Sequence, residues 1–374
     1  MKMLRLFIIT IHAFFVASPA LPQERPSPAI GPAELYFISV GIETYTPDTN
    51  LPHLYGAENS AKLVADALIE AGARKGILLT SKREENERDF AVTRSDIMKA
   101  IVDLKAQIRA DGATTPRIIF YAMGHGGGDP NIDASFLVPG NQLVTPTNLS
   151  QSGVSGLIHT TLWNLDVISS LVYFRSHWSM DYMDDFFPSS TMPNPNDFGA
   201  ILRGFQDQQR RQRIIESRRR NDEYLPGGNP PVPYVVLFDN CFGSIKLDLV
   251  ADAGSFSTLL RNLIGELNDE GLALYAAKPG TNESSINVPD WLEVEGIMGP
   301  IAASLIDAID RSKSGQTLVE FRELLLTGDP VGQNQSWAPY EHASRLQRDT
   351  SLIELLPRDA SDQGTYELRY GTGR

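Results

Sequence analysis

The chain has a single cysteine, Cys241, and it closes the apolar run Val235-Val236-Leu237-Phe238-Asp239-Asn240-Cys241. Such a run reads as a buried strand that breaks into a turn, and a strand end facing a cleft is where reactive side chains are displayed. A second apolar run, Arg117 to Met123, leads into Gly124-His125-Gly126-Gly127-Gly128. A thiol attacks a carbonyl only as thiolate, and a neighbouring imidazole can take its proton. Cys241 and His125 are therefore the parts of a cysteine–histidine dyad. The glycines beside His125 carry no Cβ, so backbone amides there can approach a substrate closely. A carbonyl under attack gathers negative charge on its oxygen, and the amides of Gly126 and Cys241 are the natural donors to it.

Blander readings stand beside these. A lone cysteine is a buried hydrophobe, an intermolecular bridge or a working thiol. A His-Gly pair can be a glycine turn with a solvent-facing ring. Asp239 lies two residues before the thiol, so in a strand it shares a side with Cys241. It is either a structural carboxylate bonded to loop amides or the floor of a pocket for a basic side chain, and spacing does not separate the two. His53, His159, His177 and His342 lack the strand end and the glycines. No cluster of Cys, His, Asp or Glu has metal-ligand spacing, so neither a metal centre nor an organic cofactor is expected.

The elements that must position these groups follow from periodicity. Leu35 to Ile42 reads as a strand, Gly56 to Ala73 as a helix and Ile77 to Thr80 as a strand. Thr93 reads as the N-cap of a helix that runs to about Ala110, with Asp96 in its first turn. The strand that carries His125 follows. Alternation of this kind predicts an α/β fold, a mostly parallel sheet with helices on both faces, whose ligand sites lie at the carboxyl ends of strands. Ala134 to Pro139 reads as a short strand. Residues 140–231 read as a long insertion between the His and Cys strands, with aromatics at Tyr173, Phe174, Trp178, Tyr182, Phe186 and Phe187. A polar helix near 197–220 carries arginines from Arg203 to Arg220. It is either a solvated face or a place where a protease preferring basic residues would cut its own insertion. Further on, Phe256–Leu267, Ile301–Ile309 and Leu318–Leu326 read as helices and Leu272–Ala277 as a strand. Residues 329–374 form a C-terminal segment with no clear pattern before Leu352–Leu356.

The chain has 374 residues, 42% apolar and 21% charged, enough to bury a full core. Residues 1–20 read as a signal peptide: Lys2 and Arg5, an apolar run from Leu6 to Val16, then Ser18-Pro19-Ala20. Residues 21–33, with four prolines, read as an extended lead-in, and 34–328 as the catalytic domain. Removing 1–20 takes two positive charges and no acidic ones, so the formal charge goes from −13 to −15. A mature chain this acidic is a poor partner for nucleic acid or an anionic membrane, and its expected place is periplasmic or secreted. Exported proteins commonly pair their cysteines, which makes a single one informative.

Taken together, these residues resemble the caspase-like cysteine peptidases, the group of caspases and metacaspases, over most of residues 34–328. Ile38-Ser39-Val40-Gly41-Ile42 resembles the first strand of the group, and Leu54 to Ala61 the opening of its first helix. Phe120-Tyr121-Ala122-Met123-Gly124-His125-Gly126 resembles its Tyr-x-x-Gly-His-Gly, and Asp239-Asn240-Cys241 its Asp-x-Cys. Ala276-Ala277-Lys278-Pro279-Gly280 with Glu283 resembles its strand and loop after the thiol. The resemblance implies a caspase-like sandwich and endopeptidase activity on protein or peptide substrates. It also implies a His125–Cys241 dyad and an oxyanion hole from the Gly126 and Cys241 amides. Asp239 would match a metacaspase residue that receives arginine or lysine before the cleaved bond. Ser60 departs from the usual aspartate, Met123 from a small or hydroxyl residue, and Phe242-Gly243-Ser244 from the usual Ser-Gly. Clostripain- and legumain-like peptidases share the His-Gly and Cys strand ends. Calcium activation occurs in metacaspase-like enzymes, but no calcium ligand set is readable in this chain. The competing expectation is a non-catalytic caspase-like module that serves as a binding platform.

Overall fold

The computed structural model describes residues 32–49, 51–81, 91–129, 134–141, 162–163, 167, 171, 232–240, 271–275, 286–287, 296–312, 315–327, 340–341, 353–357 and 364–372. The signal segment 1–20, nearly all of the lead-in and most of the 140–231 insertion with its aromatics and arginines lie outside these residues. So do the expected helix at 256–267 and Cys241 itself.

In chain order the elements are β1 (Glu34–Gly41), α1 (Ala57–Glu70), β2 (Lys75–Thr80), α2 (Arg94–Ala110), β3 (Pro116–Met123), β4 (Gly126–Asp129), β5 (Ala134–Leu137) and β6 (Leu162–Trp163). There follow β7 (Tyr234–Asp239), β8 (Gly271–Tyr275), β9 (Ile286–Asn287), β10 (Ile297–Met298), α3 (Pro300–Arg311), α4 (Leu318–Thr327), β11 (Tyr340–Glu341) and β12 (Thr365–Tyr370).

The central strands are apolar on both sides. In β3, Ile118, Phe120 and Ala122 enter one core while Ile119, Tyr121 and Met123 enter the other. β1 and β7 divide in the same way. Strands of this type need cover on both faces, which is the condition for a parallel sheet. The cover is α2 on one face and α1, α3 and α4 on the other. The sheet has the order β11-β8-β7-β3-β1-β2-β12. All its pairings are parallel except that of β11 with β8. The protein is thus α/β, with a mostly parallel sheet. Among the described residues no helix is long and apolar enough to cross a membrane.

The helix ends follow local chemistry. Thr93 caps α2 in a capping box: its hydroxyl accepts the Asp96 amide, and the Asp96 carboxylate accepts the Thr93 amide at 2.9 Å. Gly56 begins α1 with φ of 88°, a left-handed conformation that favours glycine. Pro300 occupies the first position of α3, where no amide hydrogen is needed.

Lys105, on α2, is 3% exposed. Burial, with Arg109 one turn on, pulls its ammonium from 10.5 down to about 7. Between those two values the unfolded chain holds more protons at this site than the folded one, so stability from this residue rises with pH across that window. Lys105→Met is therefore expected to stabilise the fold at pH 6 by on the order of 1–3 kcal/mol, with the gain shrinking towards pH 10. Denaturant unfolding at both pH values measures it.

Candidate active site

The register of the parallel sheet aligns three strand ends. Gly41 of β1 pairs with Met123 of β3, and Met123 pairs with Asp239 of β7. The segments that leave these strands begin at Ile42, Gly124 and Asn240, all on one rim. Chain order also reverses here: β1 leads to β2 on one side, while β3, β7 and β8 extend on the other. In doubly wound sheets the loops part at such a point and leave the crevice where ligands bind.

His125 stands on this rim, two residues past the end of β3. Its amide donates to the Tyr45 hydroxyl oxygen at 2.6 Å, and its carbonyl accepts the Val138 amide at 2.8 Å. Its Nε2 lies 2.9 Å from the Pro52 carbonyl oxygen. A carbonyl can only accept, so Nε2 carries the hydrogen and Nδ1 of the neutral ring keeps its lone pair. The Tyr45 ring packs on the imidazole, with centroids 4.8 Å apart. Burial lowers the His125 pKa below its ordinary 6.5, against the opposing pull of the Pro52 carbonyl. The ring is therefore neutral at neutral pH, in the form a general base requires.

The glycines after His125 do not form an open turn. Gly126 to Asp129 make β4, which pairs antiparallel with β5, and β5 pairs with β6. This small sheet sits beside the rim and holds the residue that follows His125.

Asp239 is 4% exposed. Its Oδ2 accepts the Tyr121 hydroxyl and the Ala302 amide, each at 3.0 Å. Ala302 is the third residue of α3, and Gly299, which precedes that helix, has no side chain to cap it. A carboxylate from β7 thus does the work of an N-cap and meets the positive end of the helix dipole. Burial and the neighbouring carboxylate push the Tyr121 hydroxyl far above its ordinary pKa, so it remains a donor. Ser60, at the position of the expected aspartate, is fully buried. Its hydroxyl donates to the Gly56 carbonyl at 2.6 Å and accepts the Gly299 amide at 2.9 Å.

Asn240 joins the two halves of the rim. Its Nδ2 donates to the Phe136 carbonyl of β5 at 2.9 Å. The amide lies so close over Gly126 that a Cβ there would collide with Nδ2, 2.8 Å from Asn240 Cγ and 2.5 Å from the Phe136 oxygen. Glycine is required at 126 for that reason. The structure brings Gly126 and Asn240 into contact and places Tyr45 and Pro52 around the imidazole, whereas the Asp239 carboxylate is bonded to Tyr121 and Ala302 on the other face of the sheet. Nothing in the sequence marks Tyr45, Pro52 or Asn240, because each acts through a contact between segments far apart in the chain. No protein-family model matches this chain, and no curated protein matches it.

Proposed function

We propose that this chain is an exported cysteine endopeptidase with a caspase-like sandwich, interrupted by an insertion at 140–231, and a His125–Cys241 dyad. The observation that carries the reading is the contact of Asn240 with Gly126. Asn240 is the residue before Cys241 and Gly126 the residue after His125, so the neighbours of thiol and base touch although 113 residues separate them in sequence. The tautomer of His125 adds to it, since Nδ1 is the nitrogen left to take a proton.

The reaction then runs as follows. The Cys241 thiol gives its proton to His125 Nδ1, and the thiolate attacks the peptide carbonyl carbon. The oxyanion is held by the Gly126 and Cys241 amides. The tetrahedral adduct collapses as the imidazolium returns the proton to the leaving amine, which leaves a thioester on Cys241. Water, deprotonated by His125, attacks the thioester; the acid departs and the thiol is restored. Asp239 is the residue through which a basic side chain before the cleaved bond would be preferred.

Labelling with a thiol-directed probe and cleavage of a peptide library, each with and without calcium, test the proposal. Cys241→Ala is expected to lower turnover by more than about 10³-fold with the fold unchanged. Full activity in that variant, or neither labelling nor turnover in the wild type, overturns it.

A further inference from the structure

We infer that Asn240 is a positioning residue of this site: its side-chain amide clamps the end of β7 to the β4–β5 hairpin and so sets the nucleophile against His125. The inference rests on the peptidase reading above. Asn240 is 3% exposed, and its bond to Phe136 ties β7 to the strand opposite Gly127. The hairpin in turn holds His125, whose carbonyl accepts the Val138 amide just past β5. One side chain therefore connects the residue before Cys241 to the backbone that fixes the base.

The second observation is energetic. Asn240 Oδ1 is buried and has no hydrogen-bond partner among the described residues. Turning the amide over would lose the bond to Phe136, because it would set oxygen against that carbonyl. A buried acceptor left unpaired costs stability, and such a group is retained where its geometry has another use. Asn240 is thus a tight constraint on the position of the β7 end. Replacing it should affect chemistry more than stability. A residue that packs only for structure shows the reverse.

The presence of one cysteine makes the test direct, since every alkylated thiol is Cys241. Wild type, Asn240→Ala, Asn240→Leu and His125→Ala are compared by three measurements: iodoacetamide alkylation rate against pH, kcat and KM for peptide hydrolysis, and thermal midpoint. Asn240→Leu keeps the volume but has nothing to donate to Phe136. Both Asn240 variants are expected to lower kcat at least 10-fold with KM within twofold. Their alkylation profiles should shift towards that of His125→Ala, and their melting midpoints should stay within a few degrees of wild type. Wild-type kcat and an unmoved profile in both variants overturn the inference while leaving the dyad intact. If His125→Ala also leaves the alkylation profile unmoved, the dyad fails and the inference falls with it. If neither Asn240 variant folds, the residue is structural and the inference is wrong.

Discussion

Replacing His125 by alanine is expected to lower kcat/KM for peptide hydrolysis by about 10³-fold, because the variant loses both the proton acceptor and the acid that serves the leaving amine. KM should change little, since the ring is walled by Tyr45 and Pro52 and spends its polar contacts on protein backbone. The ionisation of His125 can be measured apart from the thiol. In a Cys241→Ala background, an NMR titration of the ring should give a midpoint below 6.5, because burial disfavours the imidazolium. The sign carries into stability. Between that midpoint and 6.5 the unfolded chain binds the proton and the folded one does not, so acidification through this window weakens the fold. A midpoint above 6.5 in that background would show a ring solvated or paired differently from the one described. His125→Gln separates the roles further. A glutamine amide still donates to the Pro52 carbonyl, so the loop should stay in place while the base is gone.

Which parts were legible in the sequence follows from the range of the interactions that make them. The Thr93–Asp96 capping box spans three residues, and the expected N-cap is the one observed. Both faces of β1, β3 and β7 are written in continuous apolar runs, and the alternation of such runs with helical periodicity is what predicts the mostly parallel sheet. β12 has no such signature. Its side chains are exposed or half-buried, with Leu368 and Tyr370 nearly half exposed, because it is an edge strand that takes its place by pairing with β2. β4 was hidden for another reason. Gly126-Gly127-Gly128 has the composition of a loop, yet these glycines form a strand, and at Gly126 the close packing of Asn240 admits no larger residue. Within the candidate site, residue types pointed to His125 and Asp239. The partners that hold them lie in other segments: Tyr45 and Pro52 for the first, Tyr121 and Ala302 for the second.

Asp239 anchors Tyr121 and α3 and is also the residue proposed to set specificity, and its replacement separates the two. Asp239→Ala removes the acceptor shared by the Tyr121 hydroxyl and the Ala302 amide, leaving a buried hydroxyl and the start of α3 without it. A lost N-cap costs about 1 kcal/mol, and a buried donor deprived of a charged acceptor about 1.5–3 kcal/mol more. The variant is therefore expected to lose about 3 kcal/mol, read as a fall in the denaturation midpoint with unchanged slope. Asp239→Asn keeps an oxygen of the same shape and should lose less than half of that. The same isosteric variant tests recognition. If the carboxylate also receives a basic substrate side chain, Asp239→Asn should reduce kcat/KM for arginine and lysine substrates and spare those with an uncharged residue at that position. If the carboxylate serves only Tyr121 and α3, the ratio between the two substrate sets stays at its wild-type value whatever happens to stability. A carboxylate already occupied by a helix terminus has less negative charge to offer a substrate, because the amide and hydroxyl hydrogens that satisfy it draw on the same oxygen. With Ser60 in place of a second carboxylate, the preference for a basic residue expected here is weaker than two acids facing one pocket would produce.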